Sequence, residues 1–379
     1  MGFRGASALL AVAALAAAFV LGRAAAAGRD DTAWLQAALD AGGRVYLPKL
    51  PEGACYQTRG LWVSTSRTRI ASNGACIDYL GPGPARLSSF DGDPIAADAI
   101  FIVNRSSTKA GPPQHIAISD LTLIVPVGTD GYGVVVAGSD VTLVDVNVDG
   151  VPVDGITVTG RNNGLGYAGP VTIRNSRIGG AKRNGISVVG AVEVTIDSNT
   201  ITGVGLIGMQ DPELGPWAGI DIEPDVASYP IKRVTISRNT ISGNGGAGVL
   251  LALVTSSGLP GVADQIKLSG NSITGNGVGS GPFLRGGVCL QGGQSDGRGN
   301  LSLIANEIAG NGGWGLCSEA GGFDMQIALS CNLIHDNADG DSQWGDLSAL
   351  QPGEDRGCDT GYHRLWLRRG LHLALAAGA

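Results

Sequence analysis

Residues 194–204 read VTIDSNTITGV, and the stretch returns as VTISRNTISGN at residues 234–244 and as IKLSGNSITGN at residues 266–276. Apolar and polar residues alternate inside each copy, which is the pattern of a β-strand with one buried face. Such copies recur at intervals of 23 to 40 residues, and they begin at Val141, Val171, Val194, Val234, Ile266, Leu301 and Ile327. Self-similarity at this length predicts a stack of repeated units.

Aligning the copies places apolar residues in three columns. The columns are Val141, Val171, Val194, Val234, Ile266, Leu301 and Ile327; Val148, Ile178, Ile201, Ile241, Ile273, Ile308 and Ile334; and Ile156, Ile186, Ile220, Val249, Val288 and Leu316. Each copy therefore supplies three short strands, whose apolar face is buried only when the next copy stacks on it. Because the gaps are too short for crossover helices, we predict an all-β parallel solenoid of about ten coils, roughly 50 Å long.

The corners between the strands are rich in Asn and Gly. Five copies carry an Asn five residues after their start, at Asn199, Asn239, Asn271, Asn306 and Asn332. Asn tolerates the left-handed backbone conformation that a tight corner needs, and stacked Asn amides can hydrogen-bond along the axis. The 62 glycines fall largely in the corners as well. A Gly-rich linker would lack the apolar columns, so the pattern favours an ordered stack.

Residues 1–27 have the features of a secretory signal peptide. Arg4 supplies the positive charge, Ala8–Leu21 the apolar core, and Ala24–Ala27 the small residues at which cleavage occurs. The apolar core is shorter than the roughly 20 residues that span a bilayer. We therefore expect cleavage and a secreted or periplasmic chain whose mature form has no integral membrane span.

Six cysteines agree with an oxidising compartment. Cys289 and Cys317 take equivalent positions in adjacent coils, where stacked neighbours lie within disulfide reach. The expected disulfides are Cys55–Cys76 across the first coils, Cys289–Cys317, and Cys331–Cys358 across the last coils. This pairing is one of several connectivities that six cysteines allow.

A short helix followed by a strand is predicted after the signal peptide. Asp31 or Thr32 can cap the helix, Gly42 can end it, and Arg44–Pro48 reads as the first strand. A helix within residues 28–43 would cover the apolar end of the solenoid.

This opening, DTAWLQAALDAGGRVYLP at residues 31–48, resembles the start of pectate-lyase-superfamily proteins. The Asn-x-Ile and Gly-Asn-x-x-x-Gly-Val phrases resemble the repeats of the same group, and the resemblance covers nearly all of residues 30–344. It implies a right-handed parallel β-helix with an N-terminal capping helix. The functions in the group are diverse: polysaccharide lyases, hydrolases, uronate epimerases, depolymerases and members of no known activity.

We therefore expect a single β-helix domain at residues 28–345. Residues 346–379 differ in composition, and we expect a poorly ordered tail or a short basic helix there. The net charge of −7 gives no indication of nucleic-acid binding, which a basic surface would provide. Acidity does not exclude an acidic polysaccharide as the partner, because local basic residues or bound cations can hold it.

The outward positions of the third strand are mostly small or neutral, except at Asp221 and Glu223. Two carboxylates two residues apart on one face lie about 6–7 Å apart at Cα. Like charges this close raise one pKa, which suits an acid–base pair, or they bind a cation such as Ca²⁺ together with Asp225. Solvated surface carboxylates are the ordinary alternative for such residues.

Further candidate residues flank this pair, and solenoid insertions commonly build the binding face. The predicted substrate-binding residues are Arg161, Gln210, Asp211, Trp217, Gln291 and Glu319, and Lys182 and Arg183 are candidate bases from the preceding corner.

Two functions follow from these residues. The first is an exported enzyme that cleaves an acidic polysaccharide. As a hydrolase it would use Asp221 and Glu223 as the acid and the base or nucleophile, without a metal. As a lyase it would need Ca²⁺ or Arg161 to neutralise a uronate carboxylate, and a base such as Lys182 or Arg183. The second is a non-catalytic glycan-binding or cell-surface scaffold, which the absence of any complete catalytic pattern of the resembled families favours.

Overall fold

The computed structural model describes residues 29–81, 98–104, 111–126, 131–160, 163, 165–206, 215–224, 228–253, 258–281, 284–292, 297–319, 323–344, 363–367 and 374–377. The predicted signal peptide lies outside these residues. Within the described residues, no helix is long and apolar enough to cross a membrane.

The described chain consists of one α-helix, one short 3₁₀ turn at Pro51–Gly53, and thirty strands. Helix α1 covers Thr32–Ala41. The strands are β1 (Arg44–Leu47), β2 (Tyr56–Thr58), β3 (Leu61–Trp62), β4 (Arg69–Ser72), β5 (Ala75–Tyr79), β6 (Ala99–Val103), β7 (Gln114–Ile124), β8 (Tyr132–Val136), β9 (Ser139–Asp149), β10 (Ile156–Val158), β11 (Val171–Arg174), β12 (Arg177–Gly179), β13 (Ile186–Val188), β14 (Ala191–Asp197), β15 (Thr200–Thr202), β16 (Ile220–Ile222), β17 (Ile231–Ser237), β18 (Thr240–Ser242), β19 (Val249–Ala252), β20 (Val262–Ser269), β21 (Ser272–Thr274), β22 (Gly286–Gln291), β23 (Gly297–Ile304), β24 (Glu307–Ala309), β25 (Trp314–Ser318), β26 (Phe323–Ser330), β27 (Leu333–His335), β28 (Gly340–Ser342), β29 (His363–Leu367) and β30 (Ala374–Ala377).

The strands stack into three parallel ladders. One ladder is a separate ten-stranded sheet in the order β3-β6-β8-β10-β13-β16-β19-β22-β25-β28. The other two ladders, which begin at β1 and at β2, are joined because the 11-residue strands β7 and β9 run through both. Ten strands in the separate sheet mean ten coils, as the repeat predicts.

The predicted columns are in register and form the core. Val194 pairs with Val234, Ile201 with Ile241, and Ile220 with Val249 on successive coils. These side chains are fully buried inside the solenoid. Each coil therefore buries its apolar face against its neighbours, and the parallel β-helix prediction is confirmed.

Helix α1 covers the first coil. Leu35 and Leu39 are buried in the same core as the strands. The Gln36 amide donates to the Trp62 carbonyl at 2.9 Å and accepts from the Trp62 N–H at 2.8 Å. The side chain of Gln36 thus satisfies the backbone of β3, which is the first strand of the ten-stranded sheet.

The other end of the chain differs from the prediction. Strand β29 pairs antiparallel with β26, and β30 pairs antiparallel with β29. The expectation of a frayed or helical tail was therefore wrong for residues 363–367 and 374–377. The physical reason is that the outer edge of β26 offers unpaired backbone groups, which another strand can satisfy.

Two of the three expected disulfides are present. Cys55 is bonded to Cys76, and Cys289 is bonded to Cys317, with Cα–Cα distances of 4.7 and 4.4 Å. Cys358 lies outside the described residues, so the pairing with Cys331 stays a prediction. Covalent links between coils agree with a chain that folds in an oxidising compartment.

Two Asn ladders run along the solenoid. One lies in the corners after the strand ladder that begins at β1, and the other lies in the corners after the strand ladder that begins at β2. In the predicted ladder each Asn after Asn199 accepts both the backbone N–H and the amide N–H of the Asn one coil earlier, as Asn271 does for Asn239 at 3.0 Å in both bonds. A second ladder, which the sequence analysis missed, contains Asn244, Asn276, Asn311 and Asn337. Both ladders satisfy backbone groups that the corners would otherwise bury without partners.

On six coils a glycine also stands directly before the core residue of the third column. These are Gly155, Gly185, Gly219, Gly248, Gly287 and Gly315. A Cβ atom on Gly248 would lie 2.5 Å from Ile273 Cγ2 and 2.9 Å from the Gly287 carbonyl oxygen. The coils approach too closely here for any side chain.

We expect Gly248→Ala to lower the free energy of unfolding by about 1–3 kcal/mol, because the methyl group overpacks the corner against a backbone carbonyl. Urea unfolding measures the change. Gly111→Ala is the matched control, since a Cβ there meets no atom within 4 Å; its effect should stay within about 0.5 kcal/mol. Equal effects of the two substitutions would contradict the close-packing explanation.

Candidate functional site

The outer face of the ten-stranded sheet carries the predicted acid pair, but this face is covered rather than open. Residues in register with Asp221 point away from the core and are nevertheless almost fully buried: Thr157, Ser187, Leu250, Cys289 and Cys317. Ala218 and Ala247 from the corners pack over the last three of them. The outward direction was predicted, whereas the burial of this face was not foreseen.

Polarity divides this covered face into three parts. Trp62, Ile102 and Val135 form an apolar cluster on the first coils, and Leu250, Cys289 and Cys317 contribute to another on the later coils. The polar residues Thr157, Ser187 and Asp221 lie between them on three successive coils. We call the polar part, with the corner residues Asp154, Arg183 and Asn184 and with Glu223, the acid network.

Asp154 and Arg183 form a bidentate ion pair at one end of the acid network. Arg183 Nε donates to Asp154 Oδ1 at 2.8 Å, and Nη2 donates to Oδ2 at 2.7 Å. The Asp154 side chain is 0% exposed and the Arg183 side chain is 26% exposed. The Asp154 carboxylate raises the pKa of Arg183 above its usual value. The base role predicted for Arg183 was therefore wrong, because its guanidinium stays protonated.

Asn184 connects this ion pair to Asp221. Its backbone N–H donates to Asp154 Oδ1 at 3.2 Å, and its side-chain Nδ2 donates to Asp221 Oδ2 at 2.9 Å. Its Oδ1 accepts the N–H of Ala218 at 3.0 Å, which fixes the orientation of the amide. One polar side chain on each coil thus holds the next coil, and Asp221 is positioned within this chain of contacts.

Burial raises the pKa of Asp221 well above its usual value, and the nearby Glu223 carboxylate raises it further. The Arg183 cation acts in the opposite direction with a smaller effect. Asp221 is 0% exposed, and its Oδ1 has no hydrogen-bond partner among the described residues. Asp221 therefore holds its proton to a higher pH than an ordinary carboxyl group does, beside a Glu223 that is only partly buried.

This pKa predicts a pH-dependent stability. Because folding raises the pKa of Asp221, the native chain keeps a proton that the unfolded chain releases above about pH 4. The free energy of unfolding should therefore fall as the pH rises from the unfolded pKa to the folded one.

In urea unfolding between pH 4 and pH 8, Asp221→Asn should lack this decline and should exceed the wild type at pH 8. Asp339→Asn replaces an exposed carboxylate and should follow the wild type. Parallel curves for all three proteins would show that Asp221 ionises normally.

Most of the other predicted site residues lie farther from Asp221 and Glu223 or outside the described residues. Gln291 and Glu319 lie two and three strands beyond Glu223 in the same outward column, about 10 and 14 Å away at strand spacing. Lys182 is partly buried in the corner next to Arg183, and its backbone N–H donates to the Val151 carbonyl. Arg161, Gln210, Asp211 and Asp225 lie outside the described residues.

Trp217, one of the predicted substrate-binding residues, is buried rather than exposed. Its side chain is 1% exposed, and its ring packs so closely on Gly281 that a Cβ there would lie 2.1 Å from Cζ3. Trp217 instead fills the corner that leads into β16, which stabilises the strand that carries Asp221.

Among the described residues, no group of three His, Cys, Asp or Glu side chains could hold a metal ion. Asp221 and Glu223 supply two carboxylates, whereas Ca²⁺ takes six to eight oxygens. The Arg183 cation next to them also disfavours a second positive charge. Calcium binding with Asp225 stays a prediction.

Sequence reasoning missed Asp154 as a member of the site. The signal was an Asp or Asn two residues before the strand on two successive coils, in Asp154-Gly-Ile and Asn184-Gly-Ile, where the following coils have Ala218 and Ala247. Polar residues at one corner position on adjacent coils can bond to each other, which is a detectable pattern.

Comparisons with known proteins agree with the architecture. A family model described as "Right handed beta helix region" matches residues 132–334, which is more than half of the 379 residues. This match confirms the predicted handedness. No curated protein sequence matches the chain significantly.

Several solved structures are similar at low identity. The mannuronan C-5 epimerase AlgE6 A-module of Azotobacter vinelandii is 15% identical with a TM-score of 0.48, covering 83% of this chain and 92% of that one. The surface adhesin PfbA of Streptococcus pneumoniae is 12% identical with a TM-score of 0.44, covering 92% and 97%. The tailspike gp49 of Acinetobacter baumannii bacteriophage Fri1, a capsular polysaccharide depolymerase, is 14% identical with a TM-score of 0.45, covering 89% and 66%. These similarities are too distant to select an activity.

Proposed function

The chain belongs to the family of right-handed β-helix proteins, and from this premise we propose that it is an exported enzyme that cleaves an acidic polysaccharide by acid–base chemistry at Asp221 and Glu223. The observation that carries the proposal is a fully buried carboxyl group with a raised pKa beside a partly exposed carboxylate. Two carboxyl groups whose environments separate their pKa values can divide the acid and base roles.

Glu223 is the member of the pair that can touch the substrate, because Asp221 has no exposed surface. In the proposed reaction the pair gives one proton to the oxygen of the leaving sugar and recovers one proton. In hydrolysis the recovered proton comes from the attacking water, and in elimination it comes from the sugar ring. Asp221 holds a proton behind Glu223 and thereby sets the charge of the pair.

Arg183 would bind an anionic group of the substrate. Two of its N–H groups are engaged by Asp154, and 26% of its side chain is exposed. A guanidinium has five donors, so further N–H groups remain for a carboxylate. An acidic sugar would thus be held next to Glu223 by a fixed cation, and the reaction needs no metal.

A second candidate is a glycan-binding scaffold without catalysis. The zero exposure of Asp221 and its bond to Asn184 favour this alternative, because both are also what a structural polar network shows. The two candidates differ in whether Glu223 takes part in chemistry.

The test is to incubate the full mature chain with acidic and neutral polysaccharides, each with and without Ca²⁺. Products that absorb in the ultraviolet indicate elimination, and reducing ends without such absorption indicate hydrolysis. We expect one of these with an acidic polysaccharide in the absence of Ca²⁺. Binding without any product on the whole panel would overturn the enzyme and support the scaffold.

A further inference from the structure

A groove of about 600 Å³ crosses the first coils on the ladder that begins with β1, which is a different ladder from the one that carries the acid network. Arg44, Arg67, Arg69, His115, Asp140 and Thr142 line it. The volume lies in the range of small-molecule and oligosaccharide sites. We call this the arginine groove.

Two of its arginines are stacked directly on each other. Arg44 and Arg69 are register partners in the parallel strands β1 and β4, so their Cα atoms lie about 4.8 Å apart. Arg67 comes from the corner immediately before β4 and adds a third cation. Like charges on opposed strand positions destabilise a sheet unless something compensates them.

No compensating carboxylate is found for these arginines among the described residues: none of the three guanidinium groups makes an ion pair or a hydrogen bond there. The acid of the groove, Asp140, is in contact with His115 Nδ1 instead. Arginines farther along the same ladder behave differently.

Arg233 pairs with Glu193 at 2.8 Å, and Arg238 pairs with Asp197 at 2.6 Å, each with a residue of the preceding coil. The fold therefore has a ready way to neutralise an arginine on this ladder, and the first two coils do not use it. The result is a local cationic groove on a chain whose net charge is −7.

We propose that the arginine groove binds the anionic groups of a glycan, either uronate carboxylates or sulfate esters. Guanidinium groups pair with such anions through two parallel N–H···O bonds, and an exposed pair of stacked arginines leaves those donors available. Because the acid network lies on another ladder, this site holds the glycan without taking part in its cleavage. The inference goes beyond the proposed activity and does not depend on it.

The test is calorimetric titration at low ionic strength, using a short oligouronate, a sulfated oligosaccharide, a neutral oligosaccharide of equal length and inorganic phosphate. The protein is the full mature chain carrying Glu223→Gln, so that cleavage does not disturb the titration. Arg44→Ala/Arg69→Ala removes the stacked pair. Arg174→Ala/Arg177→Ala is the matched control, because it removes the same charge from exposed arginines farther along the solenoid.

We expect the groove variant to bind at least one anionic oligosaccharide about tenfold more weakly than the control variant does. Which of the two anionic probes responds identifies carboxylate or sulfate as the group recognised. Equal affinities of the two variants would overturn the proposal. It would also be overturned if the neutral oligosaccharide bound as tightly, or if phosphate alone bound as tightly as the oligosaccharides, since a glycan site gains affinity from several contacts. These outcomes concern binding alone, so they can be interpreted whether or not the polysaccharide panel yields cleavage products.

Discussion

Replacing Glu223 by Gln should lower kcat on an acidic polysaccharide by about 10²–10⁴-fold, the range that a positioned acid or base contributes. The amide keeps the size and hydrogen-bonding capacity of the side chain but cannot carry the proton. KM should change little, since Arg183 and the backbone of β16 are untouched. Initial rates of product formation under saturating and limiting substrate measure both parameters.

Glu307→Gln is the matched control for this substitution. Glu307 is an exposed carboxylate on β24 whose side chain accepts a hydrogen bond from Ser272, far from the acid network. Its removal should leave kcat within about twofold, in line with the small effects of surface substitutions. Full activity in Glu223→Gln would assign the carboxylate pair to structure and move the chemistry elsewhere.

Replacing Asn271 by Ala should produce the largest loss of stability for a single side chain. Asn271 accepts two hydrogen bonds from Asn239, and its Nδ2 donates to the Ile236 carbonyl at 2.9 Å and to Asn306 Oδ1 at 2.8 Å. The variant removes the acceptor of the buried Asn239 backbone N–H and one donor to the Ile236 carbonyl, at about 1–3 kcal/mol each. Asn306 Oδ1 keeps its bond from the Asn271 backbone N–H. We expect the free energy of unfolding to fall by about 3 kcal/mol or more.

Urea unfolding measures this loss as a shift of the midpoint at an unchanged slope. Thr240→Ala alters an exposed side chain next to the same ladder and serves as the control, with an expected change within about 0.5 kcal/mol. If Asn271→Ala were no worse than Thr240→Ala, water would have to replace the ladder bonds, and the ladder would not be a source of stability.

The coil architecture could be predicted because its causes are local and repeated. The alternation of apolar and polar residues around Val194 and Ile201 is enough to predict strands there. The same alternation around Val234 and Ile241 predicts which residues of the two coils pair. The antiparallel strand β29 could not be predicted, because it forms to satisfy the open edge of β26 rather than from a repeat of its own.

The acid network was predicted in part. Asp221 and Glu223 interrupt a neutral column, which is visible in the sequence. The burial of Asp221, and the exclusion of Arg183 as a base by Asp154, depend on contacts between residues 29 to 37 positions apart. The burial of Trp217 was not foreseen either, because an aromatic residue in an insertion is equally typical of a binding surface and of a packed corner.

Three successive coils contribute to the acid network: Asp154 comes from the first, Arg183 and Asn184 from the second, and Asp221 from the third. The relative positions of these groups are therefore dictated by the axial rise of the backbone, whose hydrogen bonds tolerate little variation. A connection that leaves the corner residues 154, 183–184 and 217–218 in place can lengthen or change in sequence without displacing this network. Under the proposed function, glycan preference could therefore change through an external connection while the carboxylate pair kept its position on β16.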